Sequence, residues 1–434
     1  MLGPQKKDRF HIFEHQNKFY LYASSIRGFA EISKEAADKI NANPDTISRV
    51  IRDMEKRKPT PISSSLKPAT IYLNVSSSCN LKCVYCYANR GNYQDSQKPM
   101  DMSTVVDTWN YFRDQNIPIG LVTFFGGEPL LRYSFLKEVV SFMKEVSKEG
   151  GSLAPHFSII TNGVLLDEEK IKYFLQEKIS ITISVDGPMA IHDALRPTTQ
   201  NRGTFQSIDT NLKRCIQVGL IPGIEVTYTQ AHRKAGITPT DLLSFFQDTY
   251  GIEVVIIAPA GGKPGDSWKV NGTDVAEAYA EAAHHSLASL STPKPVKLQI
   301  VMTLMNNIFS PTLRLSHQYC YSNIGENHFA VSTSGEIYPC QMFNDQKDFL
   351  MGNVSSSDQP TAMKAVQDRF HQNSKENNQC RDCWAKEICS ICPGGMYLET
   401  GQIKEIPQHR CDLVKKVCEE VIAFFANKKT NAQR

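Results

Sequence analysis

The chain has 434 residues, of which 41% are hydrophobic and 21% charged, and its net charge is +3. A chain of this length can bury two or three cores, and so small a net charge leaves no electrostatic footprint for nucleic acid. No apolar run reaches membrane-spanning length, and no apolar stretch follows the opening Met1-Leu2-Gly3-Pro4-Gln5-Lys6-Lys7 as a secretory signal requires. The expectation is a cytoplasmic protein without a membrane or nucleic-acid partner. Its twelve cysteines then point to metal or catalysis, because disulfides do not persist in a reducing compartment.

Residues 1–67 form a first, small unit with 13 Lys/Arg against 8 Asp/Glu. Phe19-Tyr20-Leu21-Tyr22 suits a strand, and Ser33 to Ile40 suits a helix capped by Ser33. The excess of basic residues is either a solvated surface or a docking face for an acidic peptide. Lys58-Pro59-Thr60-Pro61 followed by Ser63-Ser64-Ser65 reads as a linker.

From residue 68 to about 300, strands and helices alternate. The predicted strands are Ile71–Val75, Leu121–Phe125, Phe157–Thr161, Ile179–Val185, Ile224–Tyr228 and Val254–Ala258. Each precedes a predicted helix: Ser103–Arg113, Phe135–Lys148, Asp167–Gln176, Thr204–Val218, Pro239–Thr249 and Thr273–Leu290. The alternation predicts a parallel sheet with right-handed crossovers, and six units fit either a partial barrel or a doubly wound sheet. Polar and glycine-rich signals follow the first four strands: Cys79, then Gly126-Gly127-Glu128, then Thr161-Asn162-Gly163, then Ser184-Val185-Asp186-Gly187. Parallel α/β folds gather their active sites at the carboxyl ends of strands, so the four signals converge on one mouth.

Cys79, Cys83 and Cys86 read C-x3-C-x2-C on a polar loop. Three thiolates can hold three irons of a cubane cluster and leave the fourth open, whereas a structural zinc site needs four ligands. With Tyr85 before the last cysteine and the triplet placed after the first strand, the segment resembles the radical S-adenosylmethionine superfamily signature. The resemblance implies a partial (β/α)6 TIM-type barrel and a [4Fe-4S] cluster whose open iron binds S-adenosylmethionine (AdoMet) by its amino and carboxylate groups. One electron from the reduced cluster then breaks a C–S bond to give a 5′-deoxyadenosyl radical, the chemistry belonging to the cofactor. Gly126, Gly127 and Glu128, followed by Pro129, match the motif that holds the methionine amino group. Asn162 and Ser184 match positions lining the cofactor pocket, the serine near the ribose, although both also sit in plain turn sequences. Arg196 contacts either cofactor or substrate, or else makes a surface salt bridge.

A second cysteine set lies within residues 315–425. Cys320 is followed by Gly335 and Cys340, then by Cys380-x2-Cys383-x5-Cys389-x2-Cys392, and finally by Cys411. With Gly335 to Cys340 and Gly352-Asn353-Val354, the pattern resembles the SPASM domain, an iron–sulfur extension of peptide-modifying radical enzymes. By position, Cys320, Cys340 and Cys392 would hold one auxiliary [4Fe-4S] cluster, and Cys380, Cys383, Cys389 and Cys411 the other. Two residues separate Cys389 from Cys392 where the family has three. No cysteine stands just upstream of Cys320, so the first auxiliary cluster has an open iron or a non-cysteine ligand such as His317. A pair of structural zinc sites is the competing reading of this region. Cys215 and Cys418 sit in predicted helices among apolar neighbours and are expected to pack in the core.

The resemblance implies an oxidoreductase acting on a ribosomally synthesised precursor peptide, with a sulfur-to-carbon thioether the first expectation for the bond formed. An external one-electron reductant such as flavodoxin or ferredoxin would be needed. Residues 1–67 resemble in part the leader-peptide recognition domains of such maturases. The alternative is oxidation of Cys or Ser to formylglycine, as in anaerobic sulfatase-maturating enzymes. Those carry a catalytic aspartate where this chain has Gln341, an amide that cannot act as a base. A non-catalytic metal-binding or electron-carrier protein is the third reading. No catalytic residue is singled out.

Overall fold

The computed structural model describes residues 10–55, 68–89, 98–270, 272, 274–309, 320, 324–356, 360–376 and 378–432. Strands β1 (Phe10–His15), β2 (Lys18–Ala23) and β3 (Gly28–Ile32) form an antiparallel sheet in the order β1-β2-β3. Helices Lys34–Ala42 and Pro44–Glu55 follow. Ser33 caps the first of them, its Oγ accepting from the Ala36 N–H at 3.1 Å. The residues read as a linker, 58–65, lie outside the described residues, as does His317.

The central sheet begins with β4 (Ala69–Ser76), β5 (Ile119–Gly126) and β6 (His156–Thr161). It continues through β7 (Ser180–Ser184), β8 (Gly223–Tyr228), β9 (Val254–Pro259) and β10 (Lys297–Leu298). These seven pair in parallel, each with the next in sequence. That order separates the two architectures left open above. A doubly wound sheet reverses its strand order at a switch point, whereas unbroken succession with right-handed crossovers places every helix on one face, the geometry of a partial barrel.

Alternation along the strands distributes the residues. Ile71, Leu73 and Val75, Val122 and Phe124, and Ile181 and Ile183 are fully or nearly fully buried beneath the helices. Tyr72, Phe125, Thr182, Ser184 and Glu225, one residue out of step, are only half-buried and face the open lumen. The helix expected from Ser103 starts one residue earlier at Met102, that expected from Asp167 one later at Glu168, and that expected from Pro239 at Pro239 itself. Asp101, Asp167 and Thr238 each accept a hydrogen bond from the first turn and stand outside the helix.

The C-terminal part does not form a detached appendix. Strand β11 (His328–Val331) pairs in parallel with β4, and β12 (Glu336–Tyr338) and β13 (Gly352–Asn353) extend the same sheet antiparallel, to ten strands among the described residues. The helix Gln408–Ala432 then packs along the barrel helix Val275–Ser289. The N-terminal sheet lies on that C-terminal helix. Tyr20 donates to Asn427 Oδ1 at 3.0 Å, and His11 pairs with Glu419 at 2.7 Å. The His11 ring stacks on Trp384, centroids 4.1 Å apart. Tyr20 and Tyr22 are fully buried there, each contributing about 2–3 kcal/mol of burial. Among the described residues, no helix is long and apolar enough to cross a membrane.

Candidate functional site

Strand β4 ends at Ser76, whose Oγ donates to the Ser78 carbonyl at 3.0 Å and turns the chain into the cysteine loop. The end of β5 runs directly against this turn. The Gly127 N–H donates to Ser76 O at 2.8 Å and the Glu128 N–H to Ser78 O at 2.9 Å. A Cβ on Gly126 would stand 2.4 Å from Ser76 O, and one on Gly127 would stand 2.2 Å from Ser78 O. Only glycine permits backbone to lie on backbone this closely. The glycine pair therefore sets the position of the loop that starts at Cys79, whatever ligand it also meets.

Glu128 is buried, and its carboxylate accepts from the Leu130 N–H (3.0 Å), the Thr161 hydroxyl (2.7 Å) and the Asn162 N–H (2.8 Å). Burial pushes its carboxyl up, and these three bonds oppose the shift. Three of its roughly four acceptor positions are thus engaged by β6 and the turn after β5. Asn162 donates to Asn80 Oδ1 at 2.9 Å and lies 3.8 Å from Cys79 Sγ, while the Leu81 N–H points at the same sulfur from 3.4 Å. The ends of β4, β5 and β6 are tied together around Cys79.

Tyr85 ties the other end of the loop. Its hydroxyl donates to Asp186 Oδ2 at 2.5 Å and accepts from Arg196 Nη1 at 2.6 Å. Arg196 is only 8% exposed and sits 3.8 Å from Asp186 Oδ1. The salt bridge considered from sequence exists, but it is buried beside the cysteines rather than on the surface. Asp186 is held in turn by the Thr227 N–H at 3.0 Å. Two neutral histidines fix its backbone. The Asp186 N–H donates to His192 Nδ1 (3.2 Å), and His232 Nε2 donates to Asp186 O (2.7 Å). Burial pushes His192 down to about 3, so it stays neutral and its Nε2–H faces Thr204 Oγ1 at 3.0 Å. Ser184, at the carboxyl end of β7, lies directly across from Glu225 of β8.

Burial pushes the Cys79 thiol up to about 12 and raises Cys83 as well, the latter partly offset by Arg196. Thiols so placed become thiolates when a cation binds, since metal coordination releases their protons. The donor set fits a cluster: three thiols on one loop, with the Arg196 guanidinium acting on Cys83.

The second set falls into two neighbourhoods of thiols. Cys340 interacts electrostatically with Cys392 and Cys320. Cys380, Cys383, Cys389 and Cys411 line one cavity of about 130 Å³ with Ala385 and Ile391. Two neighbours were missed. Cys418, fully buried, interacts with Cys389 and Cys383. It is seven residues after Cys411 on one helix, and that spacing is the signal that could have found it. Glu399 joins the segments: Lys269 Nζ, His409 Nε2 and Arg410 Nε lie 2.8, 3.3 and 2.9 Å from its carboxylate. Cys215, in the helix Phe205–Gln217, and Cys418 are both fully buried and pack in the core, as expected from their apolar neighbours. Gln341 follows Cys340 in a single 3₁₀ turn, its Oε1 2.9 Å from Cys340 Sγ.

Residues 73–230 match the Radical SAM superfamily model, and residues 320–384 match that of the SPASM iron–sulfur cluster-binding domain. A cysteine-type anaerobic sulfatase-maturating enzyme of Clostridium novyi is 31% identical over 159 residues, 35% of this chain and 40% of that enzyme. Native anSMEcpe, solved with bound AdoMet and a peptide, superposes with a TM-score of 0.70 at 18% identity, covering 84% of this chain and all of that one (100%). Streptococcus suis SuiB bound to the precursor peptide SuiA superposes with a TM-score of 0.53 at 14% identity, covering 93% and 98%. The parallel barrel, the cysteine loop at its mouth and the thiol-rich extension of its sheet are those of one family: the chain belongs to the radical SAM superfamily and carries a SPASM domain, with the [4Fe-4S] clusters and AdoMet that these domains imply.

Proposed function

We propose that this enzyme oxidatively crosslinks a ribosomally synthesised peptide, joining a cysteine sulfur to a carbon. The observation that carries the reading is Gln341. The residue beside Cys340 is a neutral amide, so the position holds no carboxylate to take a proton from a cysteine or serine undergoing oxidation to formylglycine. The resemblance over most of the chain to a protein solved with its precursor peptide supports a peptide substrate.

Cys79, Cys83 and Cys86 would hold the first cluster. Gly126, Gly127, Glu128, Asn162 and Ser184 would form the AdoMet side of the mouth. Cys320, Cys340 and Cys392 would hold one auxiliary cluster, and Cys380, Cys383, Cys389 and Cys411 the other. When bound, these groups supply an electron and a carbon-centred radical. The chain itself fixes the loop through the glycine pair and Tyr85, keeps the Asp186–Arg196 pair out of water, and presents Ser184 and Glu225 to the lumen. An external flavodoxin or ferredoxin would supply electrons. The sheet of β1 to β3 with its two helices would bind the leader of the peptide.

The sulfatase-maturase reading is favoured by the 31% identity to the Clostridium novyi enzyme, confined to about a third of this chain. One experiment separates the two. Reduced anaerobic enzyme is given AdoMet and a cysteine-containing precursor peptide, and the product is weighed and probed. A peptide lighter by two hydrogens, with its thiol no longer alkylated, supports the crosslink. A product that has lost its sulfur and reacts with hydrazides is formylglycine and overturns it.

A further inference from the structure

Away from the barrel mouth, three ligand-type side chains from three elements meet. His15 ends β1, His284 lies on the helix Val275–Ser289, and Glu420 lies on the helix Gln408–Ala432. One ligand atom from each falls within 4.8 Å of the other two. The Glu420 carboxylate stands between the imidazoles, Oε1 3.2 Å from His15 Nδ1 and Oε2 3.3 Å from His284 Nδ1.

Those spacings suit a bound ion. A charge-assisted N–H···O bond spans about 2.7–2.9 Å, and the neighbouring His11–Glu419 pair, at 2.7 Å, has that length. Ligand atoms about 2.0–2.1 Å from a tetrahedral zinc ion lie about 3.3 Å from one another. The His15 and His284 nitrogens stand from the carboxylate at a spacing that a tetrahedral ion fits and that a long hydrogen bond also spans. The rings are tilted by 41° with centroids 6.4 Å apart, so they turn their nitrogens to the carboxylate without stacking on each other. His284, with its side chain 51% exposed, leaves a fourth position open to water. Lys416, 3.9 Å from Glu419, is the neighbouring cation.

The geometry points to a His15–His284–Glu420 site for a zinc-like divalent ion that pins the N-terminal sheet to the C-terminal and barrel helices. Two imidazoles and one carboxylate are the donors that such an ion selects over iron–sulfur chemistry. The proposal is independent of which peptide the enzyme modifies.

The test uses cluster-loaded enzyme equilibrated with Zn²⁺ and desalted, with zinc and iron counted on the same sample. Wild type retains one zinc per chain at full iron content. His284→Gln, a substitution at a half-exposed side chain, keeps its iron and loses zinc affinity by at least about 100-fold, the upper end of what losing a mere supporting residue costs. Zinc also slows amide exchange in β1 of wild type but not of H284Q. Retention of zinc by H284Q equal to wild type, or no zinc in either protein at full iron content, overturns the site.

Discussion

Gly127 offers the sharpest test of how the barrel holds its cysteine loop. In Gly127→Ala the new Cβ would meet Ser78 O at 2.2 Å, Ser78 C at 2.5 Å and the Cys79 nitrogen at 3.1 Å. An unstrained carbon–oxygen contact is about 3.3 Å, so the loop or the end of β5 must retreat by about 1 Å. No side chain can absorb the movement, because the opposing atoms are backbone. The shift strains the Gly127–Ser76 and Glu128–Ser78 hydrogen bonds, each worth about 1 kcal/mol net. It also carries Cys79 out of register with Cys83 and Cys86. A displacement of about 1 Å at a reacting centre costs on the order of 10²-fold in rate. G127A is therefore expected to keep its auxiliary iron while 5′-deoxyadenosine formation falls about 100-fold. Iron analysis and chromatography of the deoxyadenosine measure both. Formation at the wild-type rate, with full iron, would show that the contact does not position the loop.

Tyr85→Phe removes the hydroxyl between Asp186 and Arg196 and leaves both buried, at a cost of about 1–3 kcal/mol; an unchanged unfolding midpoint would contradict this. Cys392→Ala should spare AdoMet cleavage and abolish peptide product, and surviving product would remove Cys392 from the auxiliary set. Burial pushes the Glu399 carboxyl up, but bonds from His409, Lys269 and Arg410 outweigh it and hold it at about 2. The bonds of this depressed group stabilise the fold fully above its unfolded value near 4.5, by at most about 3 kcal/mol, and are lost as pH falls toward 2. The stability gap between wild type and Glu399→Gln should accordingly close over that interval, and a gap independent of pH would refute the ion cluster. Trp384→Ala removes the ring stacked on His11 and set edge-on to Tyr22. Loss of about 2 kcal/mol is expected, less than the about 3–5 of a fully buried ring, and equal stability would mean that the N-terminal sheet is not anchored there.

Much of this molecule is legible from short-range signals. Strand alternation and capping residues such as Asp167 and Thr238 act locally, so β4 to β9 and their helices could be read directly. The cysteine spacings were equally open, because a cluster imposes its geometry on neighbouring residues. What stayed hidden is non-local. Nothing in the segment around His328 announces that β11 will pair with β4, since four buried residues suit any core element. The buried Arg196 could not be told from an exposed one without the fold that places Tyr85 and Asp186 against it. The sequence presents Gly126 and Gly127 only as ligand contacts, and their close approach to Ser76 and Ser78 emerges once two strands lie side by side. The docking of β1 and β2 on the C-terminal helix joins positions some 400 residues apart, such as His11 and Glu419, beyond any periodicity.

The central claim is that the loop carrying Cys79, Cys83 and Cys86 holds a cluster that cleaves AdoMet. Anaerobically prepared enzyme, reduced chemically and supplied with AdoMet, should contain about twelve irons per chain and release 5′-deoxyadenosine, with Cys83→Ala losing the release. Zinc in place of iron with no deoxyadenosine, or release undiminished in C83A, would contradict it.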